Sequence, residues 1–153
     1  MTLNKLDGDA LKRCCGSRAW VQGMLQLNEL PDRDALLSAA DVVWYSLTPS
    51  DWLEAFSHHP EIGEKSASKW SAHEQSGMNE ADAEIATTMR ELNMQYRQKF
   101  GWIYIVCATG KTAAEMLAIL RTRLLSDAEM ELRNAAAEQS KITRLRLEKL
   151  LAE

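Results

Sequence analysis

The sequence predicts an all-α protein, and three observations carry that reading. Apolar residues recur at helical spacing, residues able to cap helices stand at the starts of those stripes, and only one run has the character of a strand. The three prolines, Pro31, Pro49 and Pro60, fall where a helical pattern would be interrupted and so act as punctuation.

Taken in order, Asp32 to Tyr45 places Leu36, Leu37, Ala40, Val43 and Trp44 on one helical stripe. Thr48 or Ser50 caps a short helix through Phe56, which ends at His58-His59-Pro60. Asn79 or Asp82 begins a helix running to about Gln98, with Ile85, Met89, Leu92 and Tyr96 on one face and Gly101 as its stop. Thr112 starts a helix carrying Ala113, Met116, Leu117, Leu120 and Leu124, and Asp127 starts a last one reaching Leu151. Trp102-Ile103-Tyr104-Ile105-Val106-Cys107 is apolar, β-branched and aromatic, bounded by Gly101 and Gly110. A lone strand has no partner for its hydrogen bonds, so this run reads as an extended, buried connection between helices.

A chain of 153 residues with 46% hydrophobic content fits one domain over 1–153 with a continuous core. The net charge of -4, with both signs mixed along the chain, gives no basic stripe for a phosphate backbone and argues against nucleic acid. Cys14, Cys15 and Cys107 have neither zinc nor disulfide spacing and read as reduced thiols. Charge near the N-terminus does not resemble a secretory signal, no stretch is long enough to span a membrane, and Leu151-Ala152-Glu153 is not a peroxisomal address. The expectation is a cytoplasmic protein.

Four constellations could carry chemistry. Ala108-Thr109-Gly110-Lys111-Thr112 imitates the end of a phosphate-binding loop, but that motif needs a glycine where Ile105 stands, and capping by Thr112 explains the sequence. His58, His59, Glu61, Glu64, His73 and Glu74 are types that bind zinc, without the spacing of a known zinc site. In His59-Pro60-Glu61-Ile62-Gly63, proline pushes His59 out of helical geometry and displays an imidazole on a loop; the plainer alternative is two solvated histidines at a helix end. On the last helix Arg146 shares a stripe with Ile142 and Leu150, whereas Arg144 aligns with Ser140 and Glu148. An inward guanidinium is costly unless paired, which points to a carboxylate partner or an anionic ligand; the plainer alternatives are an Arg–Glu structural pair or a stem that snorkels to water.

Four segments in order, His59-Pro60-x-Ile62-Gly63, Ser71-x-x-Glu74-Gln75-x-Gly77, Leu92-Asn93-x-x-Tyr96-x-x-Lys99-Phe100-Gly101 and Lys141-Ile142-x-x-Leu145-Arg146-Leu147, resemble the 2-oxo-4-hydroxy-4-carboxy-5-ureidoimidazoline (OHCU) decarboxylase family. Tyr104-Ile105-Val106-Cys107-Ala108-x-Gly110 resembles its bacterial branch. The resemblance implies a compact helical bundle, a homodimer, no cofactor and no metal. It also implies cofactor-independent decarboxylation of OHCU to (S)-allantoin in urate and purine catabolism. Residue by residue it makes His59 and Glu74 catalytic and Arg146 the substrate anchor, with Ser71 and Gln75 on the ureido-imidazoline and Pro60, Phe100, Ile103 and Ile105 lining the rest of the site. Two rival readings stand beside it: a non-catalytic helical interaction domain, and a metal-dependent hydrolase using His59, His73 and nearby carboxylates.

Overall fold

The computed structural model describes residues 6–27, 30–63, 69–80 and 83–153. Among them lie eight α-helices and no strand. They are α1 (Gly8–Cys14), α2 (Arg18–Leu25), α3 (Arg33–Tyr45), α4 (Pro49–Phe56), α5 (Lys69–Glu74), α6 (Ala83–Phe100), α7 (Ala113–Arg123) and α8 (Ala128–Ala152), with a 3-10 helix over Ser76–Glu80. The chain divides into two compact units, one of residues 1–58 and 139–153, the other of residues 59–138, so α8 contributes to both.

In the first unit the helix starts follow from side chains that accept the otherwise orphaned amides of a first turn. Asp7 accepts from Ala10 at 2.8 Å, Ser17 from Trp20 at 3.2 Å and Asp32 from Ala35 at 2.8 Å. Thr48 and Asp51 form a reciprocal capping box with Pro49 in the first turn of α4. Each such cap is worth about 1 kcal/mol. The stripe read from the sequence buries Leu36, Leu37, Ala40 and Trp44, and leaves Val43 half-buried. Trp20 is fully buried and its indole N–H donates to the Ala40 carbonyl at 3.1 Å, while Trp52 donates to that of Trp44 at 3.0 Å. Rings of Trp44 and Trp52 stack at 5.8 Å. Large aromatic side chains with their one polar atom satisfied are efficient core fillers.

The second unit packs Ile62, Met89, Tyr96, Phe100, Tyr104, Val106, Met116, Leu117 and Leu120 into one cluster. Asp82, one of the two expected starts for α6, lies outside the described residues; the other, Asn79, falls in the 3-10 helix. Gly101 stops α6, its N–H donating to the Arg97 carbonyl at 2.9 Å. Thr112 caps α7 through a box with Glu115, and the Asp127 carboxylate accepts from Met130 at 2.8 Å to start α8.

Between α6 and α7 the backbone from Ile103 to Ala108 is buried and belongs to no helix, and among the described residues no strand lies beside it. Side chains satisfy several of its backbone groups. Arg123 donates to the Ile105 carbonyl, Glu138 accepts from the Cys107 N–H at 3.0 Å, and Lys111 Nζ donates to the Cys107 carbonyl at 2.6 Å. Arg123 is itself held by Glu131, Nε to Oε2 at 2.8 Å, and Tyr96 donates its hydroxyl to that carboxylate while accepting from the Trp102 indole at 3.1 Å. Glu131 and Tyr96 are fully buried, and Arg123 is 7% exposed. Burial, then the bond to Glu131, raises the Tyr96 phenol far above its ordinary range, so it remains a donor. Burial opposes the charge of Arg123, but Glu131 outweighs it and keeps the guanidinium ionised.

Breaking this pair from one side strands the other charge. Arg123→Met is expected to remove about 3–5 kcal/mol from the unfolding free energy in urea, and a loss under about 1 kcal/mol would show the cluster to be energetically idle. A second expectation concerns acid. The Glu54 carboxyl accepts the Arg18 backbone N–H at 2.6 Å and its Nε at 2.9 Å, and these bonds lower its pKa below the ordinary 4.5. A depressed carboxyl stabilises the fold fully above its unfolded value and loses that contribution as pH falls through the folded value. Glu54→Gln therefore flattens the decline of the urea midpoint below about pH 4, and parallel curves for variant and wild type would refute the assignment.

Candidate active site

The loop bearing His59 follows α4 directly. After the Ser57 cap, His58 N–H closes a turn on the Ala55 carbonyl at 3.2 Å, and Pro60 then denies His59 a helical backbone. His59 and Pro60 are half-buried in the bend that follows. The bend and the half-burial of His59 fit a histidine carried on a loop, while His58 is exposed just after the helix end. Three bonds within the second unit fix what comes next. Glu61 pairs with Arg97 at 3.3 Å, the Ile62 carbonyl accepts from Asn93 Nδ2 at 3.1 Å, and Gly63 donates its N–H to Gln75 Oε1 at 2.9 Å. Gly63 has φ +95°, a conformation open to glycine and strained for other residues.

Ser71 and Glu74 lie one turn apart on α5 and both are buried, as helical spacing requires of two residues on one face. Gln75 follows, also buried, its N–H bonded to the Ser71 carbonyl at 3.2 Å. Its side-chain oxygen accepts from Gly63, so that end of Gln75 is engaged in holding the His59 loop. His73 on the same helix is exposed. Glu64, a member of the possible zinc cluster, lies outside the described residues, and among the described ones no three His, Cys, Asp or Glu side chains are grouped to hold a metal.

Phe100, Ile103 and Ile105 are all buried. Phe100 closes α6 and packs its ring 4.7 Å from Tyr96 and 5.6 Å from Trp102. Burial raises the Cys107 thiol; Lys111 opposes this, while Glu138 and, more weakly, Glu74 reinforce it, so Glu74 lies within electrostatic reach of the extended segment. Gly77 ties α5 to the same region, since a Cβ built there would stand 2.1 Å from the Lys111 carbonyl oxygen. The resemblance pointed to Gly77 without saying why glycine is needed; the reason is this backbone-to-backbone approach.

Arg146 is 8% exposed on α8, in the other unit, with Ile142 and Leu150 buried on its stripe, and Nη1 reaches the Arg13 carbonyl at 3.5 Å. Arg144 faces outward, its side chain 52% exposed and paired with Glu148 at 3.3 Å. The helical-face reading that separated these two arginines is the one observed. The resemblance includes Asn93 in one of its segments without giving it a role, and Arg123 is one arginine among many; neither carries an outward sign of what it grips.

Residues 7–148 match the family model described as OHCU decarboxylase. The chain belongs to the OHCU decarboxylase family. It is 39% identical over 153 residues to the uric acid degradation bifunctional protein TTL of Arabidopsis thaliana, an alignment covering 95% of this chain and 47% of that protein. The OHCU decarboxylase of Amia calva is 35% identical over 77 residues, 50% of this chain and 44% of its own. The chain thus spans about half the length, or less, of these curated relatives. A crystal structure of OHCU decarboxylase in the presence of (S)-allantoin superposes with TM-score 0.87 at 35% identity, covering 96% of this chain and 99% of that one.

Gly77 offers a direct check on how this OHCU decarboxylase relative builds its α5 region. Gly77→Ala must push two backbones apart, and a destabilisation of about 1–3 kcal/mol or more is expected in urea unfolding; unaltered stability would mean the contact is not maintained in solution.

Proposed function

We propose that this protein decarboxylates OHCU to (S)-allantoin in urate degradation, without a cofactor. The observation that carries the reading is the match over nearly the whole chain to an OHCU decarboxylase solved in the presence of (S)-allantoin. The family match over 7–148 also supports treating 1–153 as one functional domain.

The chemistry explains why side chains suffice. In the substrate one ring carbon bears both carboxylate and hydroxyl, beside a ring carbon–nitrogen double bond. As carbon dioxide leaves, the carbon–carbon pair becomes a double bond to the neighbouring carbon, and the displaced pair moves onto nitrogen, which takes a proton. Protonation of that neighbouring carbon and loss of the hydroxyl proton give the keto product and fix its handedness. The electron sink belongs to the substrate, so the protein need only orient it and move protons.

His59 and Glu74 are the acid–base pair of this proposal, one on a loop held at three points and the other buried at the end of α5. Arg146 anchors anionic or carbonyl oxygen, and its burial among apolar neighbours makes that attraction stronger than at the surface. Ser71 and the amide nitrogen of Gln75 meet the ureido group, with Pro60, Phe100 and Ile103 as walls. The Ile105 carbonyl is taken by Arg123, which leaves the Ile105 N–H as the backbone group to contact substrate. The reading extends to a cytoplasmic homodimer: three free thiols suit a reducing compartment, and family resemblance supports the dimer. Among the described residues no helix is long and apolar enough to cross a membrane.

The test follows circular dichroism while the labile substrate is generated in situ. Wild-type protein should give optically active (S)-allantoin, and His59→Ala and Glu74→Ala should each lose about 100- to 10,000-fold in rate, leaving the racemate that forms spontaneously. Racemic product from the wild type would overturn the activity, and undiminished optical activity in either variant would overturn that residue's role.

A further inference from the structure

We propose that Asn93 is a positioning residue for His59, an inference that rests on the catalytic reading of His59 given above. Asn93 is 3% exposed on the inner face of α6, between fully buried Met89 and Tyr96, where the helical stripe otherwise calls for an apolar side chain. Its Nδ2 donates to the Ile62 carbonyl at 3.1 Å, and its Oδ1 is buried with no hydrogen-bond partner. The amide cannot be turned to repair this, because the exchange would aim one carbonyl oxygen at another and leave both unmatched.

A buried polar atom without a partner is unfavourable, so stability alone does not account for asparagine at this position. What asparagine supplies is a donor at one place in the loop that begins with His59. Between that histidine and Gly63, Pro60 fixes one torsion, Arg97 holds Glu61 from one helical turn beyond Asn93, Asn93 holds Ile62, and Gln75 holds Gly63. Among these the Asn93 bond is the one buried contact from α6 to the loop backbone. Without it the Ile62 peptide can rotate, and the histidine three residues earlier moves with it.

The experiment compares Asn93→Leu and the nearly isosteric Asn93→Asp with wild type, by thermal melting, by steady-state formation of optically active product, and by NMR of the imidazoles. Only three histidines, His58, His59 and His73, are present, so His59 is assigned with His59→Gln and His73 serves as the control. The leucine variant should stay folded near the wild-type melting temperature, lose about 10- to 100-fold in kcat with little change in KM, and shift the His59 resonances while those of His73 stay put. An ionised aspartate cannot donate to the Ile62 carbonyl but a protonated one can, and burial raises such a carboxyl to about pH 7 or above. The activity of Asn93→Asp relative to wild type should therefore rise as pH falls from about 9 to 6, while that of Asn93→Leu stays flat. Should the leucine variant fail to fold, the aspartate variant decides. Unmoved His59 resonances, or a kcat within about twofold of wild type in a folded variant, would overturn the proposal. Racemic product from the wild type would overturn the catalytic reading instead, and the NMR comparison would still decide whether Asn93 sets the His59 geometry.

Discussion

A buried stretch of irregular backbone in a protein of helices has a polar accounting problem, and here the Arg123–Glu131 pair is the centre of its solution. Helices satisfy their own amides and carbonyls, and sheets satisfy each other's; the run from Ile103 to Ala108 can do neither. Each unpaired buried group would cost roughly 1–3 kcal/mol, enough to expel the segment from the interior. Instead α7 contributes Arg123 to the Ile105 carbonyl, α8 contributes Glu131 and Glu138, and α6 contributes Tyr96, which joins Trp102 to Glu131. Three helices thus hold one piece of irregular chain, and the apolar side chains of that piece complete the core around them.

The His59 loop repeats the arrangement. Asn93, Arg97 and Gln75 hold a carbonyl, a carboxylate and an amide of residues 61–63, and none of these contacts belongs to regular secondary structure. The pattern fits the binding role proposed for it on physical grounds: mid-helix amides are committed to carbonyls one turn away, whereas loops and helix ends offer groups to a ligand. A small heterocycle rich in amide and carboxylate oxygens needs such groups, and they discriminate only if they do not move. Side-chain clamps provide that rigidity where backbone ladders are absent.

How legible this was depended on how local each feature is. The stripe and cap signals placed α3, α4, α6, α7 and α8 nearly where they stand, because residues three or four apart and a Thr or Asp at the start are local information. Helices α1, α2 and α5 are not legible in the same way: at 7, 8 and 6 residues their stripes are short, and unlike the 8-residue α4 they have no prolines bracketing them, although Asp7 and Ser17 are available as caps. The extended run was recognised by the lack of a second strand. Its partners were not, because Arg123 and Glu131 look like surface charges on amphipathic helices until the fold closes over them. Arg146 was separable from Arg144 because Ile142 and Leu150 flank it on the same face. Asn93 stands in one of the segments that carry the resemblance, but nothing there says what it grips, since a polar residue inside a stripe reads as a flaw in the pattern and its partner lies 31 residues away.

The two adjacent cysteines of the first unit report on the surroundings of Arg146. Burial pushes the Cys14 thiol up to about 12, with the charges of Arg146 and then Arg13 opposing it. Cys15 is pushed up to about 11, again by burial first, against bonds from Ser17 and Thr143 and the charge of Arg146. A guanidinium near a thiol ordinarily favours the thiolate. That burial prevails here shows how poorly this environment solvates charge, and the thiols remain protonated and inert at neutral pH. The same weak solvation acts on Arg146: screening that would dilute its field at the surface is reduced, so an approaching carboxylate gains more from it than from an exposed arginine such as Arg144. The burial that makes the arginine costly to keep is therefore the feature that supports the anion-anchoring role proposed for it.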